Sequence, residues 1–139
     1  MNIYFSCSIT GGRDFEPVYQ AIIAALLSAR HTVPTAHLAD SDVKALEAVV
    51  APREVYERDI NWIRNCDALV AEVSTPSHGV GYEVAYALSM EKPVLCLYQE
   101  GRPISKMISG NSHPTIQVNR YQTAGEAIAI INSFLFQIS

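Results

Sequence analysis

Ala68-Leu69-Val70-Ala71-Glu72-Val73-Ser74-Thr75-Pro76-Ser77-His78-Gly79-Val80-Gly81-Tyr82-Glu83 decides the fold. Its first six residues are apolar except Glu72 and show no alternation, the pattern of a largely buried strand. The hydroxyl-, Pro- and Gly-rich segment after Val73 reads as a turn. From Gly79 to Glu91 the chain reads as a helix in which Val84 to Met90 carries no charge. Glycines at 79 and 81 let a ligand approach the backbone, and the N–H groups at a helix start attract phosphate. Glu83 then stands just inside the helix, an acid in an apolar wall, so a phosphate and a carboxylate would meet in one pocket.

The same strand-then-helix unit extends in both directions. Strands are expected over Ile3-Cys7, His31-Ala36, Ala68-Val73, Pro93-Tyr98 and Thr115-Val118. Helices are expected over Glu16-Arg30, Asp42-Val50, Arg53-Arg64, Gly79-Glu91 and Thr123-Phe136, with a short helical loop near Ser105. This alternation implies an α/β fold, a single doubly wound, Rossmann- or flavodoxin-like domain over residues 1–139, with a parallel sheet of about five strands and helices on both faces. In the strand order 2-1-3-4-5, ligands bind outside the carboxyl ends of strands one and three. The loops there are Ser8-Ile9-Thr10-Gly11-Gly12-Arg13 and Ser74 to Gly81, both rich in glycine and hydroxyls. Each alone is weak: Gly11-Gly12 reads equally as a turn, and Gly79-x-Gly81 lacks the third glycine of a dinucleotide fingerprint. Their coincidence at the switch point favours a phosphate site.

Composition narrows the function further. With 139 residues, 49% hydrophobic and 17% charged, the chain suits one domain with a substantial core. A net charge of −4 and a pI near 5.5, without clustered Lys or Arg, argue against a polymeric nucleic-acid partner. Cys7, Cys66 and Cys96 form no CxxC pair and lie in or beside apolar segments, which fits reduced thiols and a cytoplasmic location. His31, His37, His78 and His113 lack metal-ligand spacing, so neither metal nor cofactor is expected. No basic, cleavable start precedes the first strand, and no apolar run reaches membrane-spanning length, so no membrane association is expected.

A second acid lies in Arg53 to Arg64. At helical spacing, Val55, Tyr56, Ile60, Trp62 and Ile63 share one face and Glu57, Arg58, Asn61 and Arg64 the other. Asp59 falls in the middle of the apolar face, where a carboxylate needs a specific partner or a proton. It reads equally as a catalytic acid and as a structural one that caps a loop or pairs with Arg13. Glu83, taken singly, also reads as a carboxylate favoured by a helix N-terminus. Tyr4 points to the face of the first strand opposite Ile3 and Phe5, either as core packing or as a phenol in need of a partner. Trp62, Tyr56, Tyr82 and Tyr86 read as core or interface residues.

The elements Tyr4-Phe5-x-x-Ser8-Ile9-x-Gly11-Gly12-Arg13, Glu57-x-Asp59 and Ala71-Glu72-Val73-x-x-Pro76-Ser77-x-Gly79-Val80-Gly81-Tyr82-Glu83 carry a resemblance. The chain resembles the 2′-deoxynucleoside 5′-monophosphate N-glycosidases of the Rcl type, within the nucleoside 2-deoxyribosyltransferase superfamily, over nearly its whole length. The resemblance implies that Glu83 is the nucleophile at the anomeric carbon, that Asp59 assists protonation of the leaving base, and that Tyr4 orients the nucleophile. It implies phosphate contacts from Ser8, Ile9, Ser77 and Gly79, with Thr10, Gly11 and His78 in the same loops. It further implies that Ser105 reaches the phosphate bound to a neighbouring subunit, with Met107 near the base, so that a homodimer is the working unit. The uncharged helix after Glu83 fits an oligomer interface or a fully buried core helix.

Two positions depart from the family's pattern: Thr10 stands where an Arg against the phosphate is common, and Cys7 where a Gly is common. His78 is a candidate compensating donor when protonated, or else an exposed loop histidine. A deoxyribosyltransferase is the nearest rival reading. Those enzymes usually carry an Asp where Ser77 stands, and a carboxylate would repel a phosphate that a hydroxyl can bind. A ribonucleotide glycosidase of the CMP type is a third reading, and a non-catalytic nucleotide-binding module a fourth. The preferred base is not legible, because the residues lining that end would come from the stretch Ala36-Val50 and from the partner subunit.

Overall fold

Four parallel strands form the sheet in a computed structural model that describes residues 1–139. They are β1 (Ile3–Ser6), β2 (Ala68–Glu72), β3 (Val94–Gln99) and β4 (Ile116–Tyr121), hydrogen-bonded in the order β1-β2-β3-β4. The register pairs Phe5 with Val70, Val70 with Leu95 and Leu95 with Gln117. Every residue of β1 and β2 is buried, which is why neither alternates in the sequence.

The expected strand over His31-Ala36 is reduced to a single parallel bridge between Asn2 and Thr32, beside β1 where the second strand belongs. Thr32 makes both ladder bonds, from its N–H to the Met1 carbonyl and from the Ile3 N–H to its own carbonyl. Two residues on, Pro34 has no N–H to donate, and the Phe5 N–H turns instead to Thr35 Oγ1 at 3.0 Å. The chain then coils into a 3-10 turn over Ala36–Ala39. The sheet therefore has four strands and a bridge rather than five strands, with the expected switch point intact.

Helices α1 (Glu16–Ser28), α2 (Val43–Ala48), α3 (Pro52–Asn65), α4 (His78–Ser89), α5 (Lys106–Ser109) and α6 (Ala124–Ile138) complete the fold. Strand alternation divides the core. Ile3, Phe5, Cys7, Val70, Leu95 and Leu97 pack with α1 and α6 on one face. Tyr4, Leu69, Ala71, Val94 and Cys96 pack with Ile63 of α3 and with Val80, Val84, Ala87 and Leu88 of α4 on the other. Each such buried aliphatic side chain contributes about 1.5–3 kcal/mol of transfer free energy. Pro52 at the first turn, Glu54 beside it and Arg64 at the far end set the limits and polarity of α3.

The three cysteines are buried and unpaired. No helix is long and apolar enough to cross a membrane. On α4 the side away from the sheet is open at Tyr82, 53% exposed, and Met90, which caps the helix end, is 37% exposed. The helix is apolar on more than its buried face, and it is not a fully buried core helix. Tyr56, 52% exposed on α3, meets Tyr82 edge to face, and Tyr82 stacks on Tyr86, so these aromatics form a surface ladder.

Candidate active site

The carboxyl ends of β1 and β2 bring their two loops into contact. A Cβ on Gly11 would overlap the Pro76 carbonyl oxygen and lie 3.0 Å from Ser8 Oγ, so only a glycine allows this approach. Arg13 ties the first loop down, donating to the Ser8, Leu38 and Asp40 carbonyls at 3.1, 2.8 and 3.0 Å and to Glu16 at 2.9 Å. Its guanidinium is held by these groups, so the alternative in which Arg13 pairs with Asp59 is not realised. Ser8 is buried with its hydroxyl unpartnered, whereas Thr10 and Gly11 are exposed and Ile9 is half-buried against the core.

Ser77 caps α4, its Oγ accepting from the Val80 N–H at 3.3 Å. An accepting hydroxyl keeps its own proton to donate outward. His78 and Gly79 follow at the exposed start of the helix, whose free N–H groups form an anion-attracting end.

Glu83, half-buried on α4, accepts a 2.5 Å hydrogen bond at Oε2 from Ser6 Oγ, and no hydrogen bond reaches Oε1. Burial pushes its carboxyl up to about 7, with the Ser6 and Tyr4 hydroxyls opposing the rise and the nearby Asp59 charge adding to it. Tyr4 is wholly buried on the same face of β1, and its hydroxyl faces Glu83 without completing a hydrogen bond. Burial first, and then the Glu83 and Asp59 charges, push the phenol far above its ordinary value, so it remains a proton donor.

Asp59 is half-buried on α3, its Oδ1 accepting from Arg58 Nε at 2.8 Å. Arg58, placed by helical spacing on the solvent side, folds back instead. It also donates to Glu47 Oε1 at 3.0 Å and lies over the Trp62 ring at 4.9 Å, while His37 Nε2 meets the same Glu47 oxygen at 2.8 Å. Burial raises the Asp59 carboxyl above its usual range and Arg58 holds it back. A cavity of about 200 Å³ opens onto Asp59, Glu83, Gly79, Tyr82 and Ile60.

Tyr4, Asp59 and Glu83 are thus brought together. Ser105 and Met107 are not with them. Ser105 caps the short α5, Met107 is 81% exposed, and both line a separate cavity of about 550 Å³ with Ser77, His78 and Val84, across α4 from Glu83. Ser6 was missed by sequence reasoning although its signal was present, since alternation along β1 sends residues 4 and 6 to one face. Arg58, Glu47 and His37 left no such signal, because they meet only when α2 and the 3-10 turn dock on α3. The other buried acid, Glu72, points to the opposite face and accepts from the Tyr121 hydroxyl at 2.9 Å, away from this site.

A parallel α/β sheet with two glycine- and hydroxyl-rich loops at its switch point and a half-buried pair of acids beside them defines a doubly wound domain of the Rossmann-like class. The chain belongs to the nucleoside 2-deoxyribosyltransferase family, whose model matches residues 3–126. It is 42% identical over 113 residues to the 5-hydroxymethyl-dUMP N-hydrolase of Rattus norvegicus, covering 78% of this chain and 69% of that protein. It is 39% identical over 118 residues to a Methanococcoides burtonii protein provisionally named 2′-deoxynucleoside 5′-phosphate N-hydrolase 1, covering 85% and 97%. Among solved structures, the CMP N-glycosidase of Clostridium botulinum shares the fold with a TM-score of 0.72 at 18% identity, covering 96% of this chain and 99% of that one.

Proposed function

We propose that this chain hydrolyses the N-glycosidic bond of 2′-deoxynucleoside 5′-monophosphates, releasing free base and deoxyribose 5-phosphate. The observation that carries the reading is the Glu83 carboxyl, held by Ser6 beside Asp59 and nearly two helical turns beyond the Ser77 cap. Membership of the family and relatives named as N-hydrolases of nucleoside 5′-phosphates support it.

In the proposed reaction the 5′-phosphate sits against the start of α4, met by the Ser77 hydroxyl and by N–H groups of Gly79 and of the Ser8-Ile9-Thr10-Gly11 loop. Ionised Glu83 attacks C1′ as the C1′–N bond breaks. The base leaves with the bond's electron pair and takes a proton from Asp59, whose upward displacement by burial suits a proton donor. Water then adds to C1′, gives its proton to Asp59, and displaces Glu83 from the glycosyl ester. Tyr4, buried and permanently protonated, faces Glu83 from β1 and helps to orient it. Ser105 and Met107 act across the interface of a homodimer, with the open side of α4 turned towards the second copy.

Ser77 separates this reading from base exchange on unphosphorylated nucleosides, since its free proton suits a phosphate. The test is a panel of deoxy- and ribonucleoside 5′-monophosphates and the matching nucleosides, with and without a second free base, followed chromatographically. Base release from deoxynucleoside monophosphates that is abolished in Glu83→Ala is the expected result. Exchange with the added base would make the chain a transferase, preference for ribonucleotides would make it a CMP-type glycosidase, and no turnover of any substrate would make it a binding module.

A further inference from the structure

We infer that Ser6 is a positioning residue for Glu83: its buried hydroxyl donates to Oε2, fixes the carboxylate on the β1 side, and leaves Oε1 as the oxygen presented to the sugar. The inference rests on the proposed role of Glu83 as nucleophile. It goes beyond that role by assigning the orienting bond to a side chain other than Tyr4.

The geometry supports this directly. Ser6 is the last residue of β1, is wholly buried, and pairs in register with Ala71, so its position is set by the sheet and not by a loop. Its only side-chain hydrogen bond is the 2.5 Å contact with Glu83 Oε2. The Tyr4 hydroxyl lies on the same strand face, close enough to help hold the Glu83 charge but without the geometry of a formed hydrogen bond. A short bond from a neutral donor to a carboxylate is among the stronger hydrogen bonds and favours the ionised form. The other groups that bear on Glu83 are Tyr4 and Cys7 from the β1 end and Asp59 and Arg58 from α3. Arg58 is committed to Asp59 and Glu47, and Cys7 is buried on the opposite sheet face. Ser6 is therefore the donor whose hydrogen bond to Glu83 is geometrically formed, while Tyr4 acts on the same carboxyl from close by.

Two readouts test the assignment. The first is an NMR titration of the Glu83 side-chain carboxyl carbon in the free protein, the resonance being identified by its loss in Glu83→Gln. The second is the pH dependence of kcat and KM for base release from a deoxynucleoside 5′-monophosphate. In Ser6→Ala the Glu83 midpoint should move up by about one pH unit, and kcat near pH 6 should fall about tenfold or more. KM should stay within about twofold, because Ser6 does not touch the nucleotide, and Ser6→Thr, which keeps the hydroxyl, should restore both. A folded Ser6→Ala protein with the Glu83 midpoint unmoved, or with kcat lowered equally at every pH, would overturn the assignment. Should the alanine variant fail to fold, Ser6→Cys supplies a far weaker donor of similar size for the same comparison. Base release that persists in Glu83→Gln would instead overturn the proposed function, whatever Ser6→Ala does to the titration.

Discussion

Replacing Glu83 by Gln should abolish activity and stabilise the protein, by an amount that depends on pH in a defined way. Glu83 ionises at about 7 in the folded protein instead of 4.5, chiefly because burial disfavours its charge. Each pH unit of that displacement is worth about 1.4 kcal/mol, so ionising Glu83 costs the folded state about 3 kcal/mol. An acid whose folded value is raised contributes stability that is fully present below its unfolded value and is lost as pH climbs through the folded one. Wild type therefore loses about 3 kcal/mol through this group between pH 4.5 and 8, an upper figure since the side chain is only half-buried. Gln is neutral throughout, has nearly the same shape, and offers its amide oxygen to Ser6. Urea unfolding of both proteins at pH 4.5 and pH 8 cancels the contribution of every shared carboxyl. The gap between them should widen in favour of Glu83→Gln by about 2–3 kcal/mol at the higher pH. A gap that stays constant with pH, or one that favours wild type at pH 8, would refute the claim that Glu83 is held against a burial penalty. Under the proposed role of Glu83 as nucleophile, this cost is a form of stability–activity trade-off.

Other perturbations report on neighbouring parts of the site. Asp59→Asn should lower kcat by about 10²–10⁴-fold with little change in KM, measured by steady-state base release; a loss below threefold would remove Asp59 from proton transfer. Gly11→Ala drives a methyl into the Pro76 carbonyl oxygen and should cost about 1–3 kcal/mol in thermal unfolding and raise KM; an unchanged melting temperature would mean that the two loops do not touch. His78→Ala should raise KM for the monophosphate by about tenfold and leave kcat alone, whereas an unchanged KM would leave His78 as an exposed surface histidine.

The fold was legible because buried parallel strands leave unbroken apolar runs and their helices leave charged outer faces. Where it failed, at His31-Ala36, the warning was a single proline. Pro34 falls on the one residue whose N–H would have continued the ladder to the Ile3 carbonyl, and Thr35 Oγ1 takes over the Phe5 N–H that the ladder would have used. The loss is local, since an edge strand can end without disturbing the pairs inside it. The switch point between β1 and β2 depends only on those inner pairs.

The site was legible to different depths for a physical reason. Residues on one strand or one helix keep a fixed phase, so Tyr4 on the far face of β1 followed from periodicity, Glu83 midway along α4 followed from the glycine-rich turn that starts its helix, and Ser6 was derivable from Tyr4 by alternation. Arg58 defeats that reasoning because its side chain is long enough to leave the face on which its Cα sits. From the polar side of α3 it reaches back to Asp59, and it is drawn there by Glu47 of α2, a segment with no strong periodic pattern of its own. The environment of Asp59 is therefore a property of how α2 and the His37 turn dock, and it should vary with the Ala36–Val50 stretch even where Asp59 itself does not. Glu83, by contrast, takes its burial and its Ser6 bond from β1 and α4, elements fixed by the sheet, and feels α2 only through the Asp59 and Arg58 charges. Sequence change in the α2 region should accordingly shift the titration of Asp59 directly and the Glu83 midpoint near 7 only secondarily, through the Asp59 and Arg58 charges.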